Sequence, residues 1–279
     1  FGVKLKPDEE ITATLGSKQA VFSVPMAFLD DTDGVLVPDP GYPPYTSGAK
    51  QRGATPIFMP LLPENNFIPD LDAITAEEAK QAEMMWVNSP NNPTTKILPE
   101  SFYEEAIAFC EEHDILLCSD EAYSEMYYGD EKPTSLFQVD GGRDAGIVLH
   151  SLSKRSNMTN YRIGFVAGDP RYLDPVKEVQ TNMHSGQAQI LQAGAVGAYS
   201  DEDHVEDMRQ TYGERRETLL PYLDEAGFRD VYAEGTFYVW AQVPEGLDSV
   251  DATKKLLEEA GINTTPGSAL GQNPEYGQE

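Results

Sequence analysis

Three short polar clusters carry the side chains that could do chemistry in this 279-residue sequence. Each follows an apolar run of strand length, and they span residues 88–94 (NSPNNPT), 119–123 (SDEAY) and 151–154 (SLSK). Together they supply amide, hydroxyl, carboxylate and amine groups, which serve in acid–base and covalent catalysis. Taken singly, each has an ordinary interpretation: an Asn/Pro turn, a helix cap and a loop lysine. Because ligands bind beyond the carboxyl ends of strands in an open α/β sheet, these strand ends are the candidate site.

The elements that must position these clusters are predicted from the hydrophobic pattern. Apolar runs of strand length occur at residues 35–37, 55–60, 84–88, 115–119, 146–151 and 162–167. Most of these runs are nearly continuous, which is typical of strands covered on both faces. Amphipathic stretches of helix length separate them, so the chain is predicted to form an α/β fold with a mostly parallel central sheet between helices.

A change of pattern predicts two domains. Helices are predicted to begin near Ser17 and after residues 43–44, and to cover residues 71–80 and 99–113. After residue 170 the pattern predicts long helices over 171–199 and 202–226, a strand over 235–243, and a helix over 250–260. We therefore expect a large domain over residues 1–200 and a smaller α+β domain over 201–279.

The charge balance excludes some partners. The chain has 20 Lys and Arg residues against 47 Asp and Glu residues, a formal charge of −27. Nucleic acid binding needs a basic footprint that this composition does not supply. The acidity fits either an ordinary solvated surface or adaptation to high salt, where ions screen the self-repulsion. No apolar run approaches the roughly 18 residues of a membrane span, and no signal-peptide pattern is present, so we expect a cytoplasmic protein without membrane contact.

The two cysteines give no metal site. Cys110 and Cys118 flank His113, and a zinc site would need more ligands at suitable spacing. We expect two partly buried thiols in a reducing compartment, and no bound metal.

The combination of motifs resembles the fold type I pyridoxal phosphate aminotransferases of class I and II, and within them the LL-diaminopimelate aminotransferase group. The resemblance extends from residues 16–18 (GSK) to 267–271 (GSALG). Its main segments are 38–43 (PDPGYP), 69–74 (PDLDAI), 150–154 (HSLSK), 157–165 (NMTNYRIGF) and 236–240 (TFYVW). It implies an aminotransferase that moves an amino group from an amino acid to a 2-oxo acid, with LL-diaminopimelate and 2-oxoglutarate as the best match. It also implies a homodimer with the active site at the subunit interface.

The resemblance implies three catalytic residues. Lys154 would bind the cofactor aldehyde covalently, because an amine condenses reversibly with a carbonyl, and would then move the substrate Cα proton. Asp120 would keep the pyridine nitrogen of pyridoxal 5′-phosphate protonated, so that the ring can accept electrons. Tyr123 would hydrogen-bond the ring oxygen.

The family resemblance also implies the remaining contacts to the cofactor. Asn92 would bind the ring oxygen together with Tyr123, and Tyr42 would stack on the ring face. The phosphate would lie at the helix that begins with Ser17 and Lys18, because backbone N–H groups at a helix N-terminus suit an anion. Two further residues, Ser151 and Arg162, would complete the phosphate site.

Several departures from the family pattern lie near the site. Residues 155–156 (RS) stand where the family has Thr-Tyr, residues 160–161 (NY) where it has Gly-Trp, and residues 19–20 (QA) where it has Glu-Gly. They leave the cofactor contacts intact and bear on substrate choice. The N-terminal arm of the family and the arginine that binds the substrate carboxylate are not matched, so we expect this chain to be a fragment that lacks full transaminase activity.

Other functions are compatible with the same motifs. One alternative is another class I aminotransferase, acting on alanine, aspartate or aromatic amino acids. A second is a β-elimination lyase, because a fold does not determine the reaction. A third, from a different class, is the cofactor-sensing domain of a transcription regulator, which the strongly negative charge disfavours.

Overall fold

The computed structural model describes residues 1–184 and 186–271, and a seven-stranded sheet forms its centre. The strand order is β1-β7-β6-β5-β4-β2-β3. The strands are β1 (Ile11–Thr14), β2 (Gly34–Asp39), β3 (Thr55–Pro60), β4 (Ala82–Asn88), β5 (Leu116–Asp120), β6 (Gly146–Ser151) and β7 (Gly164–Gly168). Strand β7 is antiparallel to both its neighbours, and the others run parallel to one another. The predicted α/β class and mostly parallel sheet are confirmed.

The described residues form ten α-helices, several of which cover the two faces of this sheet. They are α1 (Ser17–Phe28), α2 (Pro44–Gln51), α3 (Ala76–Gln81), α4 (Glu100–His113), α5 (Gly142–Ala145), α6 (Leu152–Arg155), α7 (Pro170–Met183), α8 (Gln189–Tyr199), α9 (Asp203–Glu225) and α10 (Ser249–Ala260). Neighbouring strand residues face opposite helix layers. Trp86 lies in the apolar cluster formed with α1, α2 and α7, and Val87 lies in the cluster formed with α4. This two-sided burial explains the continuous apolar runs of the strands.

Two predicted helices are each divided in the structure. The stretch 71–80 contains a single 3-10 turn at Leu71–Ala73, and α3 starts only after Thr75. Thr75 caps α3, because its hydroxyl accepts the Glu78 N–H while the Glu78 carboxylate accepts the Thr75 N–H. The predicted helix over 171–199 is wrong as one element: α7 ends at Met183, where His184 adopts an extended backbone, and α8 begins at Gln189.

The predicted strand over 235–243 is wrong over its first half. Only Trp240–Gln242 forms a strand, β9, which pairs with β8 (Arg229–Tyr232) in a separate two-stranded sheet. The backbone of Gly235 and Thr236 instead donates hydrogen bonds to the carbonyls of Thr95 and Met126. Tertiary partners therefore replace the strand partners that an apolar stretch would otherwise seek.

Two strands were not predicted. Strand β1 is short and polar, and strand β8 contains Arg229 and Asp230, so neither shows the apolar pattern of a buried strand. Strands β8 and β9 with α9 and α10 lie within the predicted small domain, whose boundary at residue 200 stays a prediction. Residues 272–279 of that predicted domain lie outside the described residues. None of the helices seen in 1–184 and 186–271 has both the length and the apolar character needed to cross a membrane.

Candidate active site

A polar pocket lies where β4, β5 and β6 end. Asn88 and Asp120 are paired neighbours in the register of β4 and β5, and Ser151 ends β6. The start of α1 and the turn after β6 complete the walls. The residues that line the pocket are Ser17, Tyr42, Tyr45, Asn88, Asn92, Asp120, Ala122, Tyr123, Ser151, Ser153, Lys154 and Tyr238.

The structure brings most of the predicted site residues into this pocket. Seven of them are in its lining: Ser17, Tyr42, Asn92, Asp120, Tyr123, Ser151 and Lys154. The other two, Lys18 and Arg162, are not lining residues but lie beside it. Lys18 Nζ is 5.7 Å from the centroid of the Tyr42 ring, and the Arg162 guanidinium lies against Gly16. The roles assigned to these residues stay predictions.

Asp120 is a buried carboxyl at the base of the pocket. Its two oxygens accept hydrogen bonds from the Tyr45 hydroxyl, at 2.9 Å, and from the Ala122 N–H, at 3.1 Å. Burial raises the pKa of Asp120 from 3.8 to about 6, and these two hydrogen bonds oppose that rise. At neutral pH the pocket therefore contains a buried negative charge that a cationic ligand atom would stabilise.

Two neighbours of Asp120 were missed in the sequence analysis. Tyr45 lies on α2, where its ring stacks on Trp86 with centroids 4.9 Å apart. Asn88 donates from Nδ2 to the Asp120 carbonyl at 2.8 Å and accepts the Asn92 N–H at Oδ1. The available signals were weak: Tyr45 follows Tyr42 by three residues, and Asn88 opens the first polar cluster.

Lys154 presents its amine to the pocket. It lies on α6, a single turn capped by the Ser151 hydroxyl, which accepts the Ser153 N–H. Across the described ranges, no hydrogen bond or ion pair of Lys154 Nζ is found, and the nearest aromatic centroids are those of Phe237 and Tyr123, at 4.5 and 5.3 Å. Burial, and secondarily the charge of Lys18, lowers the pKa of the Lys154 amine. A larger fraction of neutral, nucleophilic amine follows at neutral pH.

Burial keeps the hydroxyls of two pocket tyrosines, Tyr42 and Tyr123, protonated. Burial raises the pKa of Tyr42 to about 12 and also raises that of Tyr123. The Tyr123 hydroxyl donates to the Tyr238 hydroxyl at 3.1 Å. Tyr238 was quoted in a sequence motif but was not predicted as a site residue. Both hydroxyls are available as hydrogen-bond partners for a polar ligand.

One end of the pocket fits an anion. Helix α1 starts at Ser17 after Gly16, which has φ +74° and makes no side-chain cap, so the first N–H groups of the helix lack that partner. The guanidinium of Arg162 donates to the carbonyls of Leu15 and Thr159, each at 2.8 Å. These bonds hold a positive charge beside the helix N-terminus, where a doubly charged phosphate is favoured.

Gly16 is required for this arrangement, and we expect Gly16→Ala to weaken anion binding. A Cβ at Gly16 would lie 2.5 Å from Nη2 of Arg162, and the positive φ adds strain. Displacing one guanidinium contact should lower the affinity for inorganic phosphate by about 10-fold or more. Calorimetric titration with phosphate measures this. Gly129→Ala is the matched control, because a Cβ there meets nothing within 4 Å; equal affinities in the two variants would contradict the assignment.

The cysteines lie away from this pocket. Cys110 and Cys118 are buried free thiols, and burial raises the pKa of both. No group of three metal-ligating His, Cys, Asp or Glu side chains occurs among the residues with a described structure.

Comparison with known proteins identifies similar sequences and folds. The family model "Aminotransferase class I and II" matches residues 1–277. A protein of Aquifex aeolicus named LL-diaminopimelate aminotransferase is 42% identical over 279 residues, which are all of this chain and 71% of that protein. One of the same name from Natranaerobius thermophilus is 40% identical over 276 residues, 99% of this chain and 72% of that protein.

Solved structures show the same architecture. Apo-BacF from Bacillus subtilis superposes with a TM-score of 0.93 at 34% identity, covering 98% of this chain and 70% of that one. An aminotransferase from Staphylococcus aureus superposes with a TM-score of 0.93 at 30% identity, covering 98% of this chain and 72% of that one.

Proposed function

Because this chain belongs to the class I and II aminotransferases, we propose that its pocket binds pyridoxal 5′-phosphate and serves the transfer of the LL-diaminopimelate amino group to 2-oxoglutarate. The family resemblance inferred from the motifs is confirmed. The observation that carries the cofactor proposal is the arrangement of one pocket, in which an unpaired Lys154 amine and a buried Asp120 carboxyl share the walls. The names of the Aquifex and Natranaerobius relatives support the substrate.

The residues present fit this cofactor. The N-terminus of α1, the hydroxyls of Ser17 and Ser151, and the Arg162 guanidinium supply donors for the phosphate. The close approach of Arg162 to Gly16, which a Cβ would prevent, places that charge at the helix end. Lys18, next to Ser17, would contribute its backbone N–H to the same group.

The ring contacts have candidates on the other walls. Asp120 would pair with the ring nitrogen, Tyr42 would lie on the ring face, and Asn92 and Tyr123 would donate hydrogen bonds to the ring oxygen. When bound, the cofactor supplies an electron sink that stabilises negative charge at the substrate Cα.

Side chains of this protein would then carry out and support the proton transfers. Lys154 Nζ would take the proton from the substrate Cα, and its lowered pKa favours the neutral form that can accept a proton. The Asp120 carboxylate would stabilise a proton on the ring nitrogen, because a buried negative charge favours a positive partner. Tyr42 and Tyr123 remain protonated and orient the ring.

We propose that the enzyme is a homodimer and that α8 contributes to the subunit contact. Ile190 and Val196 of this helix are 80% and 68% exposed, and Met183 before it is 52% exposed. An apolar surface of this kind is typical of a subunit interface. A cytoplasmic location stays a prediction.

The test uses the protein encoded by the whole reading frame that contains this chain. We expect a yellow protein in which borohydride fixes the cofactor on Lys154, located by peptide mass spectrometry. With 2-oxoglutarate as acceptor, LL-diaminopimelate should give the highest kcat/KM among donors that include alanine, aspartate and phenylalanine.

Three outcomes would overturn parts of the proposal. A reduced adduct on another lysine would remove the role of Lys154. A preference for a different amino donor would be consistent with aminotransferase activity but would refute LL-diaminopimelate as the substrate. Release of ammonia and pyruvate without an acceptor would indicate the β-elimination lyase.

A further inference from the structure

Residues 234–238 reach the pocket from the small sheet and are tied to the large sheet by backbone contacts. The Glu234 N–H donates to the Thr95 hydroxyl at 3.0 Å, and the Gly235 N–H donates to the Thr95 carbonyl at 2.9 Å. The Thr236 N–H donates to the Met126 carbonyl at 2.8 Å. The loops that follow β4 and β5 therefore set the position of this segment.

The backbone of the segment is tightly constrained. A Cβ at Gly235 would lie 2.6 Å from Cβ of Pro90, so only glycine fits there without movement. Thr236 is fully buried with φ +61°, a left-handed conformation that is unfavourable for a β-branched residue. Its carbonyl accepts the Tyr128 hydroxyl, and its own hydroxyl accepts the Tyr238 N–H. Such strain persists only where the surroundings hold it, and here it is located next to the pocket.

The constrained backbone delivers Phe237 to the Lys154 amine. Lys154 Nζ lies 4.5 Å from the centroid of the Phe237 ring, closer than to the Tyr123 ring at 5.3 Å. The Phe237 ring is itself packed against Tyr238, at 4.6 Å between centroids, and against Tyr212, at 5.8 Å and an interplanar angle of 29°. These two rings pack against Phe237, whereas the backbone hydrogen bonds of residues 234–236 set its direction toward Lys154.

The other groups around the amine act differently on its charge. Lys18 repels a positive Lys154, and the buried Asp120 carboxylate lies in the same pocket without forming an ion pair with it. Burial raises the pKa of Tyr42 and of Tyr123, so their hydroxyls are neutral. An aromatic face stabilises an ammonium group, and the gain increases where water is excluded.

We propose that Phe237 is a positioning residue for Lys154, whose ring face holds the amine in the pocket and sets the pH at which it loses its proton. The relevance to amino transfer rests on the proposed function. The contact itself is a property of this chain alone, so it can be measured without cofactor or turnover.

The experiment is trace labelling of the cofactor-free chain with acetic anhydride over a pH series, followed by peptide mass spectrometry. The exposed Lys254 serves as an internal reference in every sample. We expect Phe237→Leu to lower the labelling midpoint of Lys154 by about 0.5–1 pH unit, because leucine keeps the apolar bulk and removes the ring face. Phe237→Tyr should restore the original midpoint.

Two controls separate this effect from loss of packing. Tyr212→Leu removes a ring that stacks on Phe237 and that, among the described residues, is not one of the rings beside the Lys154 amine, so the midpoint should stay within 0.2 pH unit, a margin of roughly 0.3 kcal/mol. Near-ultraviolet circular dichroism verifies the fold, and Phe237→Met replaces Phe237→Leu if the latter unfolds. The proposal would be overturned if the labelling midpoint of Lys154 were unchanged in Phe237→Leu or Phe237→Met, or if Tyr212→Leu shifted it by the same amount as the Phe237 variant.

The loaded enzyme gives a second readout. If Lys154 is the base, its amine titrates in the enzyme–substrate complex, so the acidic limb of kcat should move to lower pH in Phe237→Leu. A borohydride adduct on another lysine would refute the proposed function while leaving the labelling result, and so the Phe237 contact, unaffected.

Discussion

Replacing Lys154 with alanine should lower kcat by about 10⁴-fold or more, while the protein still binds pyridoxal phosphate. The loss is this large because one side chain supplies both the covalent attachment and the general base. The phosphate contacts at α1 and Arg162 and the carboxyl of Asp120 do not involve this amine, so cofactor binding should survive. Stopped-flow measurement of Cα deprotonation, with a binding titration of the cofactor, tests both statements.

Lys154→Arg separates charge from proton transfer. The guanidinium keeps the positive charge of the site but stays protonated at all working pH values, so it cannot accept the Cα proton. We expect this variant to be as inactive as Lys154→Ala. Turnover within 10-fold of the wild type would show that another group is the base.

Asp120→Asn should stabilise the cofactor-free protein at neutral pH and yet impair the enzyme. Burial raises the pKa of Asp120 from 3.8 to about 6 in the fold, so between these values the native state binds more protons than the unfolded state. Stability is therefore lost as the pH rises through that window, by on the order of 3 kcal/mol in total. The neutral amide avoids this loss, and its Nδ2 can still donate to the Tyr45 hydroxyl oxygen.

Urea denaturation of the cofactor-free chain at pH 5 and pH 8 measures this effect. The variant should exceed the wild type by on the order of 3 kcal/mol at pH 8 and by about half of that at pH 5. Removal of a charge from the surface, as in Glu112→Gln, should change stability by no more than about 0.5 kcal/mol at either pH. A variant less stable than the wild type at pH 8 would show that the charged carboxylate is not a destabilising group.

The same substitution should reduce catalysis through kcat rather than KM. A ring nitrogen without a carboxylate partner loses its proton more readily, so the transition state for Cα deprotonation loses stabilisation that the bound substrate does not need. We expect kcat to fall by roughly 10²–10⁴-fold with KM within about 3-fold, as for the loss of a preorganised electrostatic group. Equal turnover would mean that Asp120 does not contact the ring nitrogen.

Much of the large sheet could be predicted from local pattern alone. The bounds of β3 and β6 agree with the prediction. Strand β6 is buried on both faces, which requires an uninterrupted apolar run that ends where polar residues begin, whereas the edge strand β3 buries Ile57 and Met59 and leaves Phe58 exposed. Parallel strands end at one edge, so the same pattern predicted that the polar clusters carrying Asn92, Asp120 and Lys154 would meet. These positions follow from residue type and spacing, without knowledge of long-range contacts.

The surroundings of these polar side chains were determined only by the tertiary structure. Tyr45 reaches Asp120 from 75 residues away, and Phe237 and Tyr238 reach the pocket because distant backbone groups hold residues 234–238 out of the strand that their apolar character predicts. The pKa of Asp120 rises because many remote residues together exclude water from it. Local sequence determines the position of a charged group on its own helix or strand. Its burial and its hydrogen-bond partners depend on which other elements pack against it, and this burial and these partners set its charge and reactivity.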